Sequence, residues 1–285
     1  KVAEELGLEC IVLELGLLRP DFCSIYSRDL NHFEYLEKQW NKQLASKKTL
    51  PPPVKPAQIA RMSTPCKMTQ FSLFFLFSRF MSTVCRQYTH HCDQRTMNVA
   101  HHLKAGIIGA LRYQGRKKQS SFDKIFQTKW SGKYYFIPLQ VHTDSQITKR
   151  SNFSSMEEFI HLVTDSFKKH APAGTKLVFK AHPMDRGYKD YHQLIKKLRS
   201  EIGGHRILYL DRIHLPTALD NAKACITVNS SVGLSALIHN TPLLALGQAA
   251  FNHEGLTYQG ELDNFWTDHG RVNKQNVDSY VSLLK

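Results

Sequence analysis

Three stretches of this chain close an apolar, strand-like run with residues capable of chemistry. In "VFKAHPMDRG" (Val178 to Gly187) the run stops at Lys180 and His182, with Pro183 aiming the histidine and Asp185 and Arg186 just beyond. In "TVNSSVGLSAL", Thr227, Asn229, Ser230 and Ser231 lead through Gly233 into a helix-like run. In "FIPLQVHTDSQI", Gln140 ends the run and Asp144 follows four residues on. A lysine and a histidine at a strand end suit a phosphate or carboxylate. Hydroxyls and free backbone N–H groups at a helix start attract an anion, and a carboxylate at a strand end can act as nucleophile or general base. Each has a plainer reading: a solvated lysine in a turn, ordinary N-capping by Asn229 or Ser230, and Asp144 as a turn or cap residue.

The elements around these stretches explain why they should meet. From about residue 130, the runs "KYYFIPLQV", "KLVFKA", "HRILYLD", "KACITV" and "PLLALG" alternate with helix-length amphipathic stretches near 154–170, 188–202, 216–222 and 231–239. That alternation is the pattern of a parallel sheet covered by helices. In such sheets ligands bind beyond the carboxyl ends of the strands, which is where all three stretches fall. Residues 1–129 read differently: a helix ("KVAEELGLE") feeding a strand ("CIVLELG"), a polar linker with "TLPPPVKP" from Thr49 to Pro56, and two helical stretches around 66–88 and 94–115. A helix leading into a strand is the middle of an α/β unit. A partial first domain over 1–129 and a second Rossmann-like domain over 130–285 are therefore expected.

Composition bounds the function. Lys and Arg outnumber Asp and Glu 38 to 24, giving a net charge of +14, which favours phosphates, anionic sugars or an anionic leaflet as partners. The 42% hydrophobic content is that of a globular protein. Six cysteines without a C-x-x-C pair suit a reducing compartment. The apolar run from Met68 to Cys85 is interrupted by Gln70, Arg79 and serines, so a buried or membrane-surface helix is expected there. His90, His91 and Cys92 with His101 and His102 match no zinc spacing and read as a solvated helical face. P-loop, G-x-G-x-x-G and D-x-D motifs are absent from the sequence, and the last absence points to a donor needing no metal.

Five ordered motifs resemble the bacterial capsule polysaccharide biosynthesis family of KpsS/LipB-like and KpsC-like proteins. They are "ELGLLRPDF", "YYFIPLQVHTDSQI", "KAHPMDRG", "NSSVGLSALIHNTPLLALGQAAF" and "GLTYQGELDNFW". The resemblance implies two facing Rossmann-like domains of GT-B-like architecture, the first truncated at its N-terminal end here. It implies a retaining glycosyltransferase that moves β-linked Kdo, an acidic sugar, from CMP-Kdo to a lyso-phosphatidylglycerol or Kdo-linker acceptor. By that similarity Asp144 is the nucleophile with Gln140 in its motif, and His182 and Pro183 lie at the CMP side. Lys180, Asn229, Ser230, Ser231 and Gly233 line the donor, Glu14 is a base for the acceptor hydroxyl, and Arg19 meets an acceptor phosphate or the Kdo carboxylate. No cofactor or metal is implied. The expected partners are CMP-Kdo, a phospholipid or Kdo-lipid acceptor, an anionic membrane surface and other capsule assembly proteins, at the cytoplasmic face of the inner membrane, and not nucleic acid. The chain departs from the family's histidine-histidine-arginine signature at "THHCDQ", where Cys92 stands and the arginine's phosphate contact is lost or passes to Arg95. Three other classes are a sialyltransferase-like inverting enzyme, a non-catalytic assembly or export component including a degenerate fragment, and, from charge alone, a basic nucleic-acid binder.

Overall fold

The computed structural model describes residues 5–18, 23–27, 32–46, 99–116, 119, 121–202 and 204–284, with isolated positions between 70 and 84. Arg19, the Thr49 to Pro56 linker, the His90 to Cys92 cluster and Arg95 lie outside the described residues.

The C-terminal half is built on a parallel sheet. Its strands are β3 (Tyr134–Pro138), β4 (Lys176–Lys180), β5 (Ile207–Leu210), β6 (Ala224–Thr227) and β7 (Leu243–Ala245), in the order β5-β4-β3-β6-β7. All five expected strands are present. β3 is central and every one of its residues is buried, as a strand covered on both faces must be. The chain leaves β3 to build β4 and β5 on one side, then crosses back to build β6 and β7 on the other. The order therefore reverses between β3 and β6, the place where α/β sheets open a ligand crevice.

The four helices expected in this half are Met156–His170, His192–Glu201, Leu215–Asp220 and Val232–Ile238. The first shows why its sequence folds locally. Ser155 caps it by accepting from the Glu158 N–H at 3.2 Å, and the Glu158 carboxylate returns to the Ser154 N–H and hydroxyl at 2.8 Å. Glu157 and Glu158 open it and Lys168, Lys169 and His170 close it, each charge matched to the helix dipole. Buried aromatics carry their polar ends to partners: the Tyr135 hydroxyl donates to Trp266 O, and Trp266 Nε1 donates to the Ser166 hydroxyl at 2.7 Å.

The N-terminal part departs from expectation. β1 (Ile11–Leu15) pairs antiparallel with β2 (Cys23–Ser27), so it is one arm of a hairpin rather than the middle of a parallel unit. β2 gave no signal because a five-residue polar-apolar alternation is weak alone. Helix α1 (His32–Ser46), unforeseen in the sequence, buries Trp40 against Tyr280 in an edge-to-face contact. Trp40 and Phe126 share one buried cluster with Tyr134 and Phe136, so segments on both sides of residue 129 fill the same core.

Helix α2 (Val99–Gly115) docks on the loop after β4 by close backbone approach. Gly109 lies against Gly187, and a Cβ on Gly187 would stand 1.9 Å from Ala105 O. His102 is buried there, its Nδ1 2.6 Å from the Tyr188 hydroxyl, and His101 stacks on the same ring. The solvated histidine face expected in the sequence is thus corrected at 102 by this contact. Gly187→Ala should destabilise the protein by about 1–3 kcal/mol in chemical denaturation. Gly106→Ala, on the same helix with nothing within 4 Å of the new Cβ, should be neutral or stabilising.

Candidate functional site

The switch point between β3 and β6 is bridged by one side chain. Gln140, buried just past β3, accepts from the Asn229 N–H at 3.1 Å through Oε1. Its Nε2 donates to Asn229 Oδ1 at 2.9 Å and to Asp144 Oδ2 at 3.2 Å. Both amide protons and the carbonyl are used, so the carboxamide has one orientation. Asn229 Nδ2 in turn donates to Gln146 O at 2.9 Å. Asp144 is the N-cap of a short helix, Ser145–Lys149, and accepts from the Gln146 N–H at 2.9 Å through Oδ1. The half-buried carboxylate is therefore fixed by a side-chain amide on one oxygen and a backbone N–H on the other. The capping role and the catalytic role considered for Asp144 are compatible: the cap sets where its oxygens stand.

The second stretch lies one strand away. His182 accepts the Met184 N–H at Nδ1, 3.2 Å, which puts the ring proton of the neutral form on Nε2. Pro183 opens a 3₁₀ turn, Pro183–Asp185, that holds this geometry. Lys180 ends β4, and its ammonium donates to Ala181 O at 3.2 Å. Burial, with the Arg186 charge as a smaller cause, pushes the Lys180 pKa down to about 8.

The third stretch is corrected in part. The open N–H groups expected around Ser230 and Ser231 are mostly partnered: Ser230 N–H donates to the Thr227 hydroxyl, Val232 N–H to the Ser230 hydroxyl, and Gly233 N–H to Ser230 O. Ser230 is the residue whose side chain caps, while the Ser231 side chain makes no cap bond. Gly233 is buried with the Phe251 ring 2.6 Å from where a Cβ would stand, so close packing accounts for it. Glu14 lies in β1 in register with Ser24.

Several groups escaped the sequence reading because they are joined only in space. Asp185, almost wholly buried, accepts from the His142 N–H at 2.8 Å and from His142 Nδ1 at 2.7 Å, clamping the loop after β3 to the loop after β4. Arg116 pairs with Asp190 at 2.8 Å and with Asp211, tying the end of α2 to the loops after β4 and β5. A cavity of about 1120 Å³ opens beyond β7, lined by Phe33 and Glu37 of α1 with Arg150, Gln248, Tyr258 and Glu261; neither Gln140, Asp144 nor His182 borders it.

A five-stranded parallel sheet with an amide-anchored carboxylate at its switch point is an α/β framework whose polar groups stand where such sheets bind ligands. The sequence signature described as "Capsule polysaccharide biosynthesis protein" matches residues 1–284, and the chain belongs to that family. It is 33% identical to the capsule polysaccharide export protein KpsS of Escherichia coli over 266 residues, 93% of this chain and 67% of that one. It is 30% identical to the capsule polysaccharide modification protein LipB of Neisseria meningitidis serogroup A over 293 residues, 98% of this chain and 67% of the relative. Among solved structures, Thermosulfurimonas dismutans KpsC, a beta Kdo 2,7 transferase, aligns with a TM-score of 0.43 at 16% identity, covering 98% of this chain and 72% of that one.

Because the folded Lys180 titrates near 8 against an ordinary value of 10.5, the unfolded chain binds more protons between those values. Stability should therefore rise with pH from about 8 to 10.5, and Lys180→Met should remove that rise. Urea midpoints of both proteins across that range check it.

Proposed function

We propose that the chain is a capsule glycosyltransferase that moves β-Kdo from CMP-Kdo to a phospholipid or Kdo-linker acceptor with retention of configuration. The observation that supports this most is the Asp144 carboxylate held by Gln140 and the Gln146 N–H at the β3/β6 switch point of a capsule-family chain. An Asp144 oxygen attacks the anomeric carbon while the bond from that carbon to the CMP phosphate oxygen breaks and CMP leaves with the electron pair. An acceptor hydroxyl then attacks from the other face, its proton passes to a base, and the Asp144 carboxylate is released.

His182 is read as the group that donates to the departing phosphate, and Lys180 as its counter-charge. Glu14 is the base assigned to the acceptor hydroxyl and Arg19 the acceptor-side cation. A monophosphate leaving group carries less charge than a diphosphate, which is why no metal is included. A GT-B-like pairing of this sheet with an acceptor domain belongs to the same reading.

The exposed apolar positions support the membrane-surface part of this reading. Leu73, Phe74, Phe77, Phe80 and Val84 are helical and each at least 60% exposed, in a chain of net charge +14. No helix among the described residues is long and apolar enough to cross a membrane. We read this stripe as resting on the inner face of an anionic bilayer, at the site of capsule assembly.

Asp144→Asn should bind CMP-Kdo with near-normal affinity yet lose transfer by about a thousand-fold or more, while wild type yields a product of retained anomeric configuration by NMR. Near-normal turnover in the variant would remove Asp144 from the chemistry. An inverted product would favour a sialyltransferase-like mechanism, and CMP binding without transfer to any acceptor would favour an assembly role. Sedimentation with phosphatidylglycerol vesicles should show binding at low salt that falls as screening shortens the reach of charge to about 8 Å at physiological ionic strength.

A further inference from the structure

The charges around the loop after β4 do not balance. Arg112 and Arg116 of the α2 end take Asp190, Arg116 also takes Asp211, and Asp185 is taken by His142. Three further cations make no ion pair among the described residues: Lys180 at the end of β4, which feels the Arg186 charge and, more weakly, Asp211, then Arg186 in the loop beyond it, and Arg212 just past β5. The two guanidiniums lie over one ring, 4.8 Å and 4.0 Å from the Tyr113 centroid on α2. Arg186 Nε and Arg212 Nη1 are buried without a hydrogen-bond acceptor. Lys180 has only a neighbouring carbonyl, Ala181 O.

Desolvated cationic N–H groups without acceptors are costly, and like charges gathered at one place raise the cost. An aromatic ring offsets a fraction of it by cation–π attraction and at the same time fixes the planes of the guanidiniums. What such an arrangement lacks is an oxyanion, whose oxygens accept from guanidinium forks in pairs.

We propose that Lys180, Arg186 and Arg212, braced by Tyr113, form an oxyanion-binding site beyond the carboxyl ends of β4 and β5. It takes a substrate phosphate or sugar carboxylate. The inference deepens the donor reading above, since Lys180 belongs to both; it gives Arg186 of the same sequence cluster a role and adds Arg212, which the sequence motifs did not single out. It also gives the docking of α2 a function: the helix supplies Tyr113, so the site is incomplete without the N-terminal segment.

Calorimetry on the whole chain with inorganic phosphate, CMP, cytidine and free Kdo tests this. Arg186→Gln and Arg212→Gln should each weaken binding of at least one oxyanion by about ten-fold. Cytidine should bind the variants as it binds wild type. Lys197→Gln, an exposed site with the same charge change, should bind every probe as wild type does. Loss with phosphate and CMP but not Kdo assigns the site to the donor phosphate, and loss with Kdo alone assigns it to the carboxylate; both support the proposal. Unchanged affinity for phosphate, CMP and Kdo in both variants, or no binding of any of them to wild type, would overturn it. Wild type that binds phosphate through these arginines but not CMP would instead refute the donor reading and leave this site standing. Unfolding temperatures without ligand separate lost binding from lost fold, and Arg212→Lys, which keeps the charge but not the fork, should fall between wild type and Arg212→Gln.

Discussion

The Gln140 carboxamide is the joint on which the site depends. β3 and β6 run side by side, yet the chain reaches them in different passes, and their paired register ends with Phe136 opposite Cys225, short of the residues that make the site. Gln140 closes that gap with bonds to Asn229 and to Asp144. A buried amide with every donor and acceptor used has one low-energy orientation, and leaving any of these groups unmet would cost about 1–3 kcal/mol. The position of Asp144 is thus set by the sheet. A carboxylate that must approach a carbon in line needs such a support, because errors of an ångström are expensive in rate.

A second constraint is the docking of α2. Two glycines facing each other let its backbone reach the loop after β4, and Arg112 and Arg116 then bind the loops after β4 and β5 to the helix. The same helix carries Leu103, Ile107 and Leu111 on its outward side, at least half exposed. One face therefore orders the basic loops and the other remains apolar. Together with the isolated helical positions before it, this places apolar surface and basic charge in the same part of the chain, the combination on which the proposed membrane-surface reading draws.

The sheet was legible because its strands are buried on both faces and read as continuous apolar runs such as "YYFIP" and "KLVFK". Gln140, Asp144 and Asn229 were legible as a group because strand ends of a parallel sheet converge, although their hydrogen bonds were not. Ser230, Ser231 and Gly233 were harder: a helix start shows its hydroxyls in sequence, but not that Thr227 and Ser230 already use its N–H groups. β1 misled because a single strand does not announce the direction of its partner, and β2 is too short to announce itself. The His142–Asp185 clamp and the pairing of Arg186 with Arg212 over Tyr113 join residues tens of positions apart, which periodicity and spacing cannot reveal.

The central claim is that the carboxylate held by Gln140 forms a covalent bond to the transferred sugar. The most direct test is intact-protein mass spectrometry of wild type incubated with CMP-Kdo and no acceptor, followed by peptide mapping. The account predicts a mass increase of one Kdo residue on the peptide containing Gln140 to Gln146, absent from Asp144→Asn. An adduct on a different carboxylate, or rapid turnover with retained configuration and no adduct under any quench, would contradict it.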